Sequence, residues 1–241
     1  MMDTPERSDI DGGLGLDGEL RYRIDRRLVL LGLAAAPLVG FAGLAEAKEK
    51  KPKKPKKGKK PVLKSLNWDG TAKIYFGDKG VIDIGVTTMV EPFVRARSDS
   101  WLTSEGPTKR RTLFVEPAEA YSVRDGQRSP LPEQQGLHER QQFCVYGYML
   151  GIGKELAKGP NTRRLQQPGY PVADLYYIGD RLAVIDMVVD PPRPGLKMAE
   201  RFTFTGERTS GDVRWPQKIA ILQDLRPSFE LTITRFEATY A

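Results

Sequence analysis

One cysteine and one histidine are all that the 241 residues supply. A lone cysteine, Cys144, excludes an intramolecular disulfide and any metal site built on several thiolates. A lone histidine, His138, excludes every centre that needs two imidazoles. The metalloprotease pattern H-E-x-x-H therefore stops at His138-Glu139, with Gln142 where the second histidine would stand. Pairing His138 and Cys144 as base and nucleophile fails too. Six residues along a straight helix set them about 120° apart in projection and about 9 Å apart along the axis. Gly151-Ile152-Gly153-Lys154 and Asp78-Lys79-Gly80 lack the spacing and the following Ser/Thr of a phosphate loop. No catalytic constellation, metal-ligand cluster or internal repeat emerges, and no residue pattern asks for a cofactor. Cys144, between Phe143 and Val145, reads as a small buried hydrophobe. His138 reads as a helix-surface or capping residue.

Net charge is also nearly missing from most of the chain. Residues 62–241 carry 24 Lys/Arg against 22 Asp/Glu, a net of +2. The overall +7 comes from residues 48–61, where nine lysines face one glutamate, while residues 1–47 stand at −3. A nucleic-acid-binding domain would carry its basic patch on the fold, so no nucleic-acid partner is expected.

The N-terminus has the order of an export signal. Arg21, Arg23, Arg26 and Arg27 are followed by an uncharged apolar run of 18 residues, Leu28 to Ala45, and then by Ala45-Glu46-Ala47. Small residues at Ala45 and Ala47 suit signal-peptidase cleavage after Ala47. Arg26-Arg27 before Leu28-Val29-Leu30 resembles a twin-arginine signal, although Asp25 departs from the usual Ser or Thr and leaves the general secretory route open. The alternative is an inner-membrane anchor through residues 28–45. Pro37, and the lysines placed directly after the run, weigh against that alternative. No cysteine follows the run, so the exported chain carries no bacterial lipid anchor and is expected in the periplasm.

Residues 48–61, KEKKPKKPKKGKKP, form a disordered linker. Like charges and prolines favour an extended, solvated chain with a reach on the order of 40 Å. Lys48–Lys60 can meet an anionic membrane surface or act as a spacer, and both readings stay open at this point.

From Val62 onward the apolar period is two. Ala72, Ile74 and Phe76 alternate with Lys73 and Tyr75, and Ile82, Ile84 and Val86 alternate with Asp83 and Thr87. Met198, Glu200, Phe202 and Phe204 share one strand face, and Phe229, Leu231 and Ile233 another. Asp78-Lys79-Gly80, Asp125-Gly126 and Gly179-Asp180 punctuate these runs as turns. The pattern predicts half-buried antiparallel sheet. The rhythm turns helical once, over about 130–160, with Ser129-Pro130 at its start and Gly159-Pro160 at its end. Leu137, Gln141, Cys144, Tyr148 and Ile152 form one stripe, beside Phe143, Tyr146 and Leu150. Gly147 and Gly151 would permit close approach of another backbone, and they weaken the helix enough to split it. The predicted fold is mainly β: a curled antiparallel half-barrel of about ten to eleven strands, with a helical lid inserted mid-chain. Its expected bounds are residues 62–241.

This order of meander, helix and meander resembles the LolA/LolB-like lipoprotein carriers. So does the C-terminal run from Val213 to Glu237, in which Trp215-Pro216 introduces a strand and a turn leads into an alternating last strand. The resemblance implies an incomplete barrel whose cavity takes acyl chains or another apolar ligand. The expected lining is Ile74, Phe76, Ile84, Phe202, Phe204 and Leu231 from the sheet, with Phe143, Tyr146 and Leu150 from the helix. The same residues could simply be core. Arg95 and Arg97, on one strand face with Asp99, would hold a lipid head group if they faced the cavity. On the wet face, which is the preferred reading, they form a solvated row. An inward cluster of Arg95, Asp99 and His138 would instead favour an enzyme. The expectation is a monomeric binding or carrier protein without a cofactor.

Overall fold

The computed structural model describes residues 62–241. The expected export signal, the cleavage point after Ala47, the twin arginines and the linker lie outside the described residues. Six strands come first: β1 (Leu63–Tyr75), β2 (Val81–Glu91), β3 (Arg95–Leu102), β4 (Arg111–Val115), β5 (Ala120–Arg124) and β6 (Gln127–Pro130). Two helices follow, α1 (Glu133–Phe143) and α2 (Val145–Met149). The chain then forms β7 (Lys154–Lys158), β8 (Thr162–Gln166), β9 (Ala173–Ile178), β10 (Arg181–Val189) and β11 (Met198–Thr205). A small hairpin, β12 (Arg208–Ser210) and β13 (Val213–Trp215), precedes β14 (Lys218–Gln223) and the long β15 (Arg226–Tyr240).

Among the described residues, thirteen strands make one antiparallel sheet in the order β6-β5-β4-β3-β2-β1-β15-β14-β11-β10-β9-β8-β7. The sheet does not close, because β6 and β7 remain edges. Its alternation lines up across strands. Ile82, Ile74, Phe229, Ile221, Phe202, Ile185 and Leu175 are successive cross-strand partners and form one apolar row along the inner face. Each such side chain, fully buried, contributes about 1.5–3 kcal/mol relative to exposure. A one-residue slip would turn the row outward, so register and core enforce each other. The helix α1 touches β4 and β5 on one arm and β10 on the other, so the sheet curls around it. Both edge strands are short and exposed, and β7 carries Lys154, Glu155 and Lys158 while β6 ends in Pro130, which discourages further pairing.

The sheet has two or three strands more than the sequence pattern suggests: β7 lies inside the 130–160 stretch expected to be helical, and β6 and β8 flank it. Ser129-Pro130 belongs to β6, at a sheet edge where proline withholds no needed donor. The helix ends at Met149, where Gly151 (φ 73°) and Gly153 (φ 133°) leave helical space. Gly159-Pro160 is the β7–β8 turn, with the Gly159 N–H donating to the Thr162 carbonyl at 2.8 Å. The helix does split, at Cys144, into α1 and α2.

Candidate functional site

The inner face is packed with aromatic side chains where the helices meet the sheet. Tyr146 lies edge-on to Trp68 at 4.9 Å between ring centroids, with Trp215 5.9 Å and Phe143 5.8 Å away. Trp215 stacks on Phe236 at 5.4 Å. Of the expected lining, Ile74, Ile84, Phe143, Tyr146, Phe202, Phe204 and Leu231 are buried in this core, while Phe76 and Leu150 pack half-buried at its margin. Cys144 is buried as expected, its Sγ 2.9 Å from the Gln141 carbonyl oxygen, and burial pushes its thiol pKa up. An inert thiol results.

Arg95 and Arg97 lie on the outer face, opposite the buried Ala96 and Ser98. Arg95 pairs with Glu91 at 2.7 Å. Arg97 sits 5.2 Å over the ring of Phe114, which stacks on Tyr121 at 4.7 Å, and Arg128 covers Tyr121 at 3.8 Å. The expected solvated row is thus a cross-strand ladder of cations and rings. Asp99, also on this face, accepts a short hydrogen bond from the Thr112 hydroxyl. His138 is buried on the other side of the sheet with its Nδ1 2.8 Å from the Asp190 carbonyl oxygen, not at the helix surface. The cluster of Arg95, Asp99 and His138 does not assemble.

The helix sits on a polar seat that alternation alone did not suggest. Gln135, His138, Glu139, Gln141 and Gln142 of α1 are all buried. Gln141 clamps Asp190, donating from Nε2 to Oδ2 at 2.8 Å and accepting the Asp190 N–H at 2.6 Å. That donation holds the Asp190 carboxyl below its ordinary value. Deeper in, the Glu200 Oε1 accepts from Gln142 Nε2 at 2.5 Å and from Gln223 Nε2 at 2.8 Å. Burial pushes Glu200 up to about 7. Burial, and then the charge of Glu200, push Glu139 up to about 8, against the pull of Arg111. Glu139 Oε2, Gln142 Oε1 and Glu200 Oε2 are buried without a hydrogen-bond partner. The one legible signal was Glu200, a carboxylate on the face of Phe202 and Phe204. Burial disfavours the charged form of both acids, so at neutral pH Glu139 is mostly protonated and Glu200 about half so.

Across the gap in the sheet, the β2–β3 turn reaches the opposite arm. Phe93 lies 5.1 Å from Tyr148 and 5.1 Å from Tyr170, whose hydroxyl donates to the Phe93 carbonyl at 3.2 Å. The ring fills the space over Gly147, where an added Cβ would come within 2.0 Å of it. Gly147 thus admits an aromatic ring, where the sequence pointed to a second backbone.

At the end of the inner face where β10 begins and β11 ends, a pocket of about 210 Å³ opens. Met149, Leu182, Phe204 and Trp215 form its floor, and Asp180, Arg181, Glu207 and Arg214 stand around it. Of the expected lining residues only Phe204 borders it. No helix of the described residues is long and apolar enough to cross a membrane.

No family model matches the chain, and no curated protein matches it. Solved structures similar to it include two of known family or description. One is a LolA superfamily protein from Nitrosomonas europaea, 9% identical with a TM-score of 0.48, over 72% of this chain and 86% of that one. The other, from Vibrio parahaemolyticus, is described as an outer membrane lipoprotein-sorting protein domain. It is 9% identical with a TM-score of 0.47, over 73% of this chain and 86% of that one.

Proposed function

We propose that the chain is an exported binding or carrier protein whose ligand is an acyl chain or another apolar group. The observation that carries this reading is the pocket of about 210 Å³ at the open end of the inner face. Its volume exceeds the roughly 150 Å³ of an apolar cavity that holds benzene. An apolar floor with a few polar groups at the mouth is the usual chemistry of a small-molecule site. The polar seat of α1 supports the same reading. A helix that served only as core would gain more from apolar side chains than from half-satisfied polar ones. Glu139, Gln142 and Glu200 each leave a buried oxygen unpaired beneath α1, and on this reading displacement of the helix would extend the pocket toward Phe143 and Tyr146. Residues 1–47 direct export to the periplasm on this reading.

Titration with a fatty acid brominated along its chain tests the site. Trp215 borders the pocket, so tryptophan fluorescence is expected to be quenched. Leu182→Glu, a charge on a half-exposed wall, is expected to abolish the quenching while leaving the melting temperature within a few degrees. Equal quenching in the variant, or none in the parent, would overturn the reading. The linker joins the domain at the N-terminus of β1. Deleting residues 48–61 is expected to weaken binding to anionic vesicles and to reduce its salt dependence, since each lysine near such a surface adds up to about 1 kcal/mol. Unchanged salt dependence would leave those residues a spacer.

A further inference from the structure

Among the described residues, Phe93, Asp125, Asp224 and Leu225 are the non-glycine positions with positive φ. Three have an internal reason. Asp125 and Asp224 open two-residue turns, where a short polar side chain tolerates the left-handed region. Phe93 gains the packing of its ring on Gly147, Tyr148 and Tyr170. Leu225 gains nothing comparable, since it is 81% exposed. The chain itself shows the unstrained solution. Asp125-Gly126, with φ of 50° and 76°, joins the paired residues Arg124 and Gln127. Asp224-Leu225, with φ of 47° and 66°, joins Gln223 and Arg226 in the same way. Turns with positive φ at both central positions favour glycine at the second, and here a leucine stands in its place.

A second exposed leucine is close by in the fold. Leu196, 94% exposed, belongs to the loop that leads into β11. The Asp224 N–H donates to the Ala199 carbonyl at 2.9 Å, and the Ala199 N–H to Asp224 Oδ1 at 3.0 Å. The loop and the turn are therefore neighbours at one end of the sheet. Arg193 and Lys197 share the loop with Leu196, and Arg226 follows Leu225. Lys197 has a 3.5 Å contact to Asp190, while Arg193 and Arg226 have no ion pair among the described residues.

We propose that this end of the sheet docks on an anionic lipid bilayer, with Leu196 and Leu225 entering the acyl boundary and Arg193, Lys197 and Arg226 meeting the head groups. Leucine tips backed by cations match the chemistry of that boundary. A stable protein interface buries about 800 Å² on each partner, whereas two loop tips offer only their own surface, and a bilayer needs no more. The proposal stands apart from the pocket, which opens at the other end of β10 and β11. It also stands apart from the linker, which joins β1 beside the last residues of β15.

The test compares a chain beginning at Lys48 with one beginning at Val62. Both keep the whole core, which draws on residues 66–238. Co-sedimentation with vesicles of phosphatidylcholine and phosphatidylglycerol is expected to show binding by both chains, weaker for the shorter. Leu196→Ser with Leu225→Gly is expected to lower partitioning at least tenfold in each, while the melting temperature stays level or rises as the turn relaxes. Binding undiminished in the double variant, absent from the chain beginning at Val62, or lost together with a fall in melting temperature would overturn the proposal. Failure of the acyl-chain titration would leave the outcome unaffected, because the two experiments probe different residues.

Discussion

Raising the pH from about 5 to about 9 is expected to lower the melting temperature steeply, and Glu139→Gln with Glu200→Gln is expected to remove most of that slope. Both carboxyls are raised in the fold from the ordinary 4.5, Glu139 to about 8 and Glu200 to about 7. The folded state therefore holds protons that the unfolded chain has already released. Stability from these groups is fully present below about 4.5 and is gone once the pH has risen through about 8. One pKa unit corresponds to about 1.4 kcal/mol, so each carboxylate is expected to contribute on the order of 3 kcal/mol. The two contributions overlap because the first charge formed opposes the second. Glutamine keeps the acceptor oxygen that Gln142 and Gln223 address on Glu200, and it cannot ionise. Thermal melts of parent and double variant across this range decide the matter, and parallel slopes would sink the assignment. Amide exchange adds a local readout. Ionisation should speed exchange in α1 before that of the central strands, since the charges form beneath the helix.

Alternation made the sheet legible, because every inner-face row needs the same two-residue period and the same register. The turn at Asp125-Gly126 was equally plain, since its φ values of 50° and 76° are those its residues favour. The ends of the helical segment were not. Ser129-Pro130 and Gly159-Pro160 suit a helix boundary as well as an edge strand and a hairpin turn, and only pairing with β5 and β8 decides between them. The helix misled in a second way. A helical stripe is expected to be apolar toward the core, yet α1 is enclosed by a curled sheet and buries glutamines and a glutamate as well. No period marks such a seat, because its members come from β4, α1, β11 and β14 and meet only after the sheet has curled. The face chosen by Arg95 and Arg97 was open for a related reason. A strand with buried residues on both sides, Ala96 and Ser98 on one and Asp99 on the other, alternates too weakly to choose.

The contact between Phe93 and Gly147 gives the second large effect. Gly147→Ala in an exposed helix would stabilise by about 1 kcal/mol. Here the new Cβ would stand 2.0 Å from Phe93 Cε2 and 2.5 Å from Cδ2. The ring has little freedom to retreat, held between Tyr148 and Tyr170 on a backbone at φ 60°. Overpacking costs about 1–3 kcal/mol, so a net loss of about 2 kcal/mol is expected in urea denaturation. Phe93→Ala alone is expected to lose about 3 kcal/mol, the low end for a phenylalanine because the ring is only half-buried. Together the two changes should be milder than their sum, since the space left by the ring admits the methyl group. A favourable coupling of about 1 kcal/mol or more is expected from the double-mutant cycle, and additivity would show that the ring does not press on Gly147. The same cycle bears on how the inner face opens. Phe93 and Tyr170 join the two arms across the gap between β6 and β7, so Phe93→Ala should also quicken brominated-lipid quenching of Trp215 if the arms part to admit a chain. Unchanged kinetics at reduced stability would make Phe93 a packing residue and leave α1 as the moving part.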